Sequence, residues 1–209
     1  MFLHDISQGL GCVLIDIHGD AVKRASALIP ESLQHKVIYF DPGDPEWIPQ
    51  WNPLAYSDGQ DIYRLADDIV ASFRRVFNDW GDRLEHVIRN GLIGLLYLGR
   101  ASMLDLYSLV RQGSPESEAL RRQIVDVVID EPVRQFWLKD FLKDYRKADL
   151  QAPKHKLSKL VSAGSVSLML SQHHSLIDFA DVMRERKILL VDLSRLGHEV
   201  ADILGSFIL

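Results

Sequence analysis

Two hydrophobic rhythms alternate along the chain. Short apolar runs stand at residues 11–16 (GCVLID), 36–40 (KVIYF) and 187–193 (KILLVDL); the first has the pattern of a strand buried on both faces, the second is β-rich and the third reads as another buried strand. The first run is closed by the polar turn HGD and the second by DPGDP, both rich in residues that end regular structure. Between them, residues 21–28 read as a helix that stops at Ile29-Pro30. Strand, helix and strand within about thirty residues make a βαβ unit, whose functional groups gather where the carboxyl ends of the strands meet the loops. Residues 16–20 lie at such an end.

Beyond residue 54 the apolar positions fall at three- and four-residue steps, the helical period. Ile62, Leu65, Ala66, Ile69, Val70, Phe73, Val76, Phe77 and Trp80 form the strongest stripe, and Leu84, Val87, Ile88, Gly91, Leu92, Leu95 and Leu96 a second. The two are expected to pack as an antiparallel hairpin, with Gly91 and Gly94 admitting another backbone at a propensity cost of about 1 kcal/mol each. Ser102 and Ser114-Pro115 read as N-caps, and Glu131-Pro132 opens a helix around Phe136, Trp137 and Phe141. A polar stretch at 143–153 is expected to break the pattern before Leu157, Leu160, Val161, Gly164 and Leu168 resume it.

With a short helix at 178–183 and the KILLVDL run, the chain reads as α/β, a parallel sheet carrying an all-helical insertion. The expected division is 1–58 for the first part of the core, 59–176 for the insertion and 177–209 for the return to the core. The last twelve residues, HEVADILGSFIL, stop without a cap. Ile203, Leu204, Phe207 and Leu209 are therefore expected to lie uncovered, forgoing roughly 1.5–3 kcal/mol each. On that ground the chain is read as a fragment.

Composition narrows the function classes. The chain has 209 residues, 47% of them hydrophobic, 24 basic and 29 acidic, for a formal net charge of −5. That balance offers no broad cationic field for nucleic acid or anionic membranes, so DNA contact has to be local. A single cysteine, Cys12, excludes an internal disulfide framework and suits a reducing cytoplasmic setting. No apolar run reaches the ~18–20 residues needed to span a bilayer.

Several segments, in order, carry a resemblance: LIDIHGD at 14–20, ALIP, VIYFDPGDPEW, WNPL, RLEHVIRN and KILLVDLS. Together they resemble the TraG-like conjugative coupling and HerA/FtsK-type motor ATPases over nearly the whole chain from Gly11 onward. The resemblance implies a partial RecA-like parallel sheet, interrupted by a helical insertion, in a DNA-translocating P-loop ATPase. It implies ATP and Mg2+ as cofactors of the complete parent protein, and DNA, a homo-oligomeric (hexameric) ring and other secretion or conjugation components as partners. The implied location is cytoplasmic, at the inner face of the membrane through segments outside these residues. No GxxxxGK[ST] phosphate loop occurs in the sequence, and the family's acidic magnesium-associated pair is expected beyond the final helix. The chain alone is thus expected to be inactive.

Asp16 and Asp20 are the catalytic candidates that the resemblance supplies, as carboxylates able to orient a water or the outer shell of a magnesium ion. His18 and Gly19 would lie beside the nucleotide. The spacing alone equally fits Asp16 as a cap of the next helix and Gly19 as a turn with positive φ. No metal site is assigned, because His18 has no second ligand at metal spacing. Asp192, after four apolar residues, reads as a cap or rim carboxylate rather than a Walker acid, since Leu193 and Ser194 follow it. Glu85 and Arg89 are placed for an i,i+4 pair, while Arg83 and Arg89 are candidate subunit-interface arginines. His173-His174 reads as a loop. Lys154, Lys156 and Lys159, within a basic stretch that begins at Lys143, are the candidate DNA contacts. Two further readings stay open: a non-catalytic assembly or adaptor module without the nucleotide loop, and a metal-dependent hydrolase centred on Asp16, His18 and Asp20.

Overall fold

The computed structural model describes residues 2–209. Three apolar runs form one parallel sheet: β1 (Cys12–Asp16), β2 (Val37–Phe40) and β3 (Ile188–Asp192), in the order β1-β3-β2. The class is α/β. The strand, helix and strand read from residues 11–40 form as expected, yet β1 and β2 do not touch, because β3 lies between them. Asp16 stands opposite Asp192 and Phe40 opposite Val191. All five residues of β3 are buried, which explains its lack of polar alternation. The flanking strands each pair along one edge, and Val13 and Tyr39 remain exposed there.

The faces of the sheet are covered by different elements. Ile188 and Leu190 pack with Ile6 of α1 (Phe2–Ser7) and with Val22 and Ala25 of α2 (Asp20–Leu28). Leu189 and Val191 point the other way, into the large core that also holds Phe40 and the helical block. A 3-10 turn (Glu31–Lys36) leads into β2, and the long connector after it is pinned in the WNPL segment. There Trp51 packs edge-on against Phe40, and the Asn52 side-chain amide donates to the Ala101 carbonyl (2.8 Å).

The helical block opens with α3 (Ile62–Val76) and α4 (Asp82–Leu98), which pack together. The Asp61 carboxylate caps α3, and Gly99, at φ 68°, closes α4. α5 (Met103–Leu109) starts from a reciprocal capping box between Ser102 and Asp105, and α6 (Pro115–Val127) from Ser114. Both caps fall where the sequence predicts them. Gly91 and Gly94 do admit close neighbours, but these are side chains rather than a backbone: a Cβ at Gly91 would meet Leu106, and one at Gly94 would meet Ile124 and Trp137.

α7 (Glu131–Gln135) runs into a π turn (Phe136–Asp140) and then α8 (Phe141–Asp144). The widened turn brings Phe136, Trp137 and Phe141 into one core, with Trp137 and Phe141 centroids 4.8 Å apart. α9 (Gln151–Val161), α10 (Ser165–Leu170) and α11 (Phe179–Arg184) complete the block before β3. The polar break is shorter than expected, since α9 begins at Gln151. Pro153 is tolerated in its first turn, where no intrahelical amide partner is needed.

Two further expectations need correction. The Glu85–Arg89 pair does not form: Arg89 binds Asp67 on α3, and Glu85 accepts from Arg74 and from the Trp80 indole. The final helix, α12 (His198–Ile208), is not an uncovered stripe. Ile203 and Leu204 are fully buried, and Phe207 meets Phe73 of α3 edge-on at 5.2 Å. The Ser72 hydroxyl donates to the Ser206 carbonyl (3.0 Å). Leu209 alone of the four named side chains is largely exposed. Among the described residues no helix is long and apolar enough to cross a membrane.

Candidate functional site at the carboxyl edge of the sheet

Each strand delivers an aspartate to the same edge. Asp16 ends β1, Asp192 ends β3 and Asp41 follows β2, and all three are buried. One oxygen of each is engaged identically, accepting from the amide two residues ahead: His18 to Asp16 (2.9 Å), Gly43 to Asp41 (2.9 Å) and Ser194 to Asp192 (3.0 Å). This local bond turns the chain sharply out of each strand.

The second oxygens differ. That of Asp16 accepts from the amides of Ala21 (2.7 Å) and Val22 (3.2 Å), capping α2. That of Asp192 accepts from the Tyr39 hydroxyl (2.8 Å), while the Ser194 hydroxyl donates to its other oxygen (2.6 Å). Asp41 faces Arg195 at 3.5 Å, and Arg195 also reaches Asp44 (3.2 Å). Gly19, at φ 82°, brings the loop after β1 onto the loop after β3, so that a Cβ there would lie 2.6 Å from the Ser194 hydroxyl oxygen. A glycine is required for both reasons.

These surroundings set the acidities. Burial works against ionisation of Asp16, but the backbone amides it accepts from more than offset that and hold its pKa below the ordinary value. Asp192 behaves likewise, with burial outweighed by the Ser194 and Tyr39 donors. Asp41 goes the other way: burial, aided by the charges of Asp192 and Asp44, raises its pKa against the pull of the Gly43 amide and Arg195. Tyr39 is pushed up to about 12 by burial and by Asp192.

The other predicted residues separate into engaged and free. The Asp20 carboxylate and the His18 ring are exposed and have no partner among the described residues. Asp16, His18 and Asp20 do not converge, and among the described residues no group of three His, Cys, Asp or Glu is placed to hold a metal ion. That geometry lends the hydrolase reading no support. Asp16, Asp41 and Asp192 shape their own loops instead of presenting a phosphate cradle, so the residues present do not by themselves fit Mg2+-ATP.

Both candidate interface arginines have intramolecular partners. Arg89 forks onto Asp67 (2.6 and 3.3 Å). Arg83 donates to the Asp144 carbonyl (2.7 Å) and lies over the Tyr145 ring. Of the three candidate DNA contacts, two are engaged within the chain. Lys156 is buried, paired with Asp79 (2.5 Å) and set over the Phe77 ring at 4.6 Å. Lys159 pairs with Glu199 of α12 (2.6 Å). Lys154 has no ion-pair partner among the described residues. His173 lies in a loop, as read, with Nε2 3.1 Å from Asp105.

The sequence reading missed Asp41, Tyr39, Ser194 and Arg195. An available signal was the repetition of an acid at the end of each apolar run, since Asp41 follows KVIYF as Asp192 follows ILLV. Comparison of the chain with protein-family models, curated proteins and solved structures gives no match.

Proposed function

We propose that these residues are the interior of a RecA-like, ATP-driven DNA-translocating motor of the conjugation or HerA type, acting as a ring of identical subunits in the cytoplasm. The observation that carries the reading is the edge itself. Three parallel strands end together in loops held by buried aspartates, and the whole helical block lies in sequence between β2 and β3. In open α/β sheets this edge is where ligands bind. The open outer edges of β1 and β2, with Val13 exposed on β1 and Tyr39 on β2, suit a sheet that continues with further strands.

In this reading the chain supplies scaffold. Asp16 and Gly19 set the loop that would face the nucleotide, and Asp192, Ser194 and Tyr39 hold the neighbouring loop against it. Exposed Asp20 and His18 are the side chains free to face a ligand. In the complete parent, ATP with Mg2+ would supply the phosphoryl-transfer chemistry, on a phosphate loop encoded outside these residues.

The test is to read the coding frame upstream of Met1 and assay its product. We expect a GxxxxGK[ST] motif within about 20–40 codons and DNA-stimulated ATP turnover that is lost on changing its lysine. An in-frame stop without that motif, or turnover unaffected by the lysine, overturns the motor reading. The stop without the motif would favour the adaptor.

A further inference from the structure

A cavity of about 240 Å³ opens between the turn joining α5 to α6 and the start of α9. Its lining includes Arg111, Lys147 and Lys154, together with Gln112 and Ser114. Among the described residues none of these three cations forms an ion pair, whereas Lys156 and Lys159 on the same helix as Lys154 both do. Three like charges around one concavity repel one another, and a bound anion relieves that repulsion. The amino-terminal ends of α6 and α9 border the same cavity and add partial positive charge.

The cavity wall is built rather than loose. The Gln112 side chain donates to the carbonyls of Phe141 and Tyr145 (3.2 Å each), tying the α5–α6 turn to α8. Gly113, at φ 85°, makes the turn, and the Lys147 stem passes beside it. The Arg111 guanidinium lies 5.8 Å from the Tyr107 ring centroid, which restricts its orientations. Glu116, at the start of α6, is an opposing charge that Arg111 acts on through space without pairing.

We propose that this cavity binds a phosphate group of a DNA strand, through Arg111, Lys147 and Lys154. The phosphate chemistry follows from the three cations, and DNA as its source rests on the motor reading. The site moves the predicted DNA contact away from Lys156 and Lys159 and adds Arg111, a residue from a distant part of the sequence.

The test uses the 209-residue chain, a fluorescent single-stranded oligonucleotide of about 20 nucleotides and inorganic phosphate as competitor. The variant R111Q/K147Q/K154Q changes exposed or partly exposed groups, and its melting temperature is compared with the parent's to confirm folding. We expect at least a tenfold loss of oligonucleotide affinity, with the slope of log K against log[salt] reduced in magnitude by about 2. The control R24Q/K36Q, on the opposite side of the sheet, should retain parent affinity. Glu116→Gln should tighten binding, and phosphate should compete. Equal losses in triple variant and control, or no loss in either, overturn the site. Phosphate binding that is lost in the triple variant, without oligonucleotide binding by the parent, overturns the DNA source. None of these measurements needs ATP, so failure here is distinct from failure of the motor reading, which the upstream motif and its lysine decide.

Discussion

Asp16, Asp41 and Asp192 occupy equivalent places at one sheet edge and yet titrate differently. For Asp16 and Asp192 the folded pKa lies below the ordinary carboxylate value of about 3.9. Their stabilisation is therefore complete above that range and is lost as pH falls through the lowered folded values. For Asp41 the folded pKa is raised. Its ionisation opposes folding, an effect absent in acid that sets in as pH rises through the ordinary value and is complete above the raised one. Asp16→Asn and Asp192→Asn should each cost about 1–3 kcal/mol near pH 7, since an amide nitrogen would face donors, and less near pH 3. Asp41→Asn should show the opposite trend, its stability relative to the parent improving from about pH 3 to about pH 7. Urea unfolding at the two pH values checks both, and parallel trends for all three variants would contradict the assignment.

Among the elements, α4 shows how packing overrides propensity. Glycine in a helix interior costs about 1 kcal/mol relative to alanine, so alanine at Gly91 or Gly94 gains that much before any clash. At Gly94 the new Cβ would lie 2.8 Å from Ile124 Cγ2 and 3.2 Å from the Trp137 indole nitrogen, both on stiff, fully buried side chains. At Gly91 it would meet a Leu106 methyl at 2.7 Å, the far end of a side chain that can turn. Gly94→Ala should destabilise by about 1–3 kcal/mol, and Gly91→Ala by clearly less, as thermal or urea unfolding would show. The existence of these helices was legible in the sequence because apolar stripes and Ser caps report local physics. What escaped was tertiary: which carboxylate Arg89 would choose, and that Lys156 would face inward. On α9 the spacing of Pro153, Lys156, Leu157 and Leu160 already marks one buried face, but a charge at such a position is read as surface until its partner, Asp79, is seen.

For the molecule as a whole, one face of the sheet and the helical block share a core. Leu189, Val191, Ile203 and Leu204 belong to the same buried cluster as Ile88, Leu92 and Trp137. Amides of β3 and of α4 should therefore exchange with solvent at one common free energy, that of global unfolding. Hydrogen exchange with a markedly lower value for β3 would instead mean that the sheet opens alone. The candidate edge was only half legible, because Asp16 and Asp192 are far apart in sequence and their register became visible only with β3 lying between the other two strands. That placement has a consequence for biosynthesis. The strand in the middle emerges from the ribosome after every helix of the insertion, so β1 and β2 wait without a mate while α3 to α11 are made. The sheet then closes late across a long loop, the slow kind of closure, and a nascent chain stalled before Ile188 should carry two unzipped, adhesive ribbons.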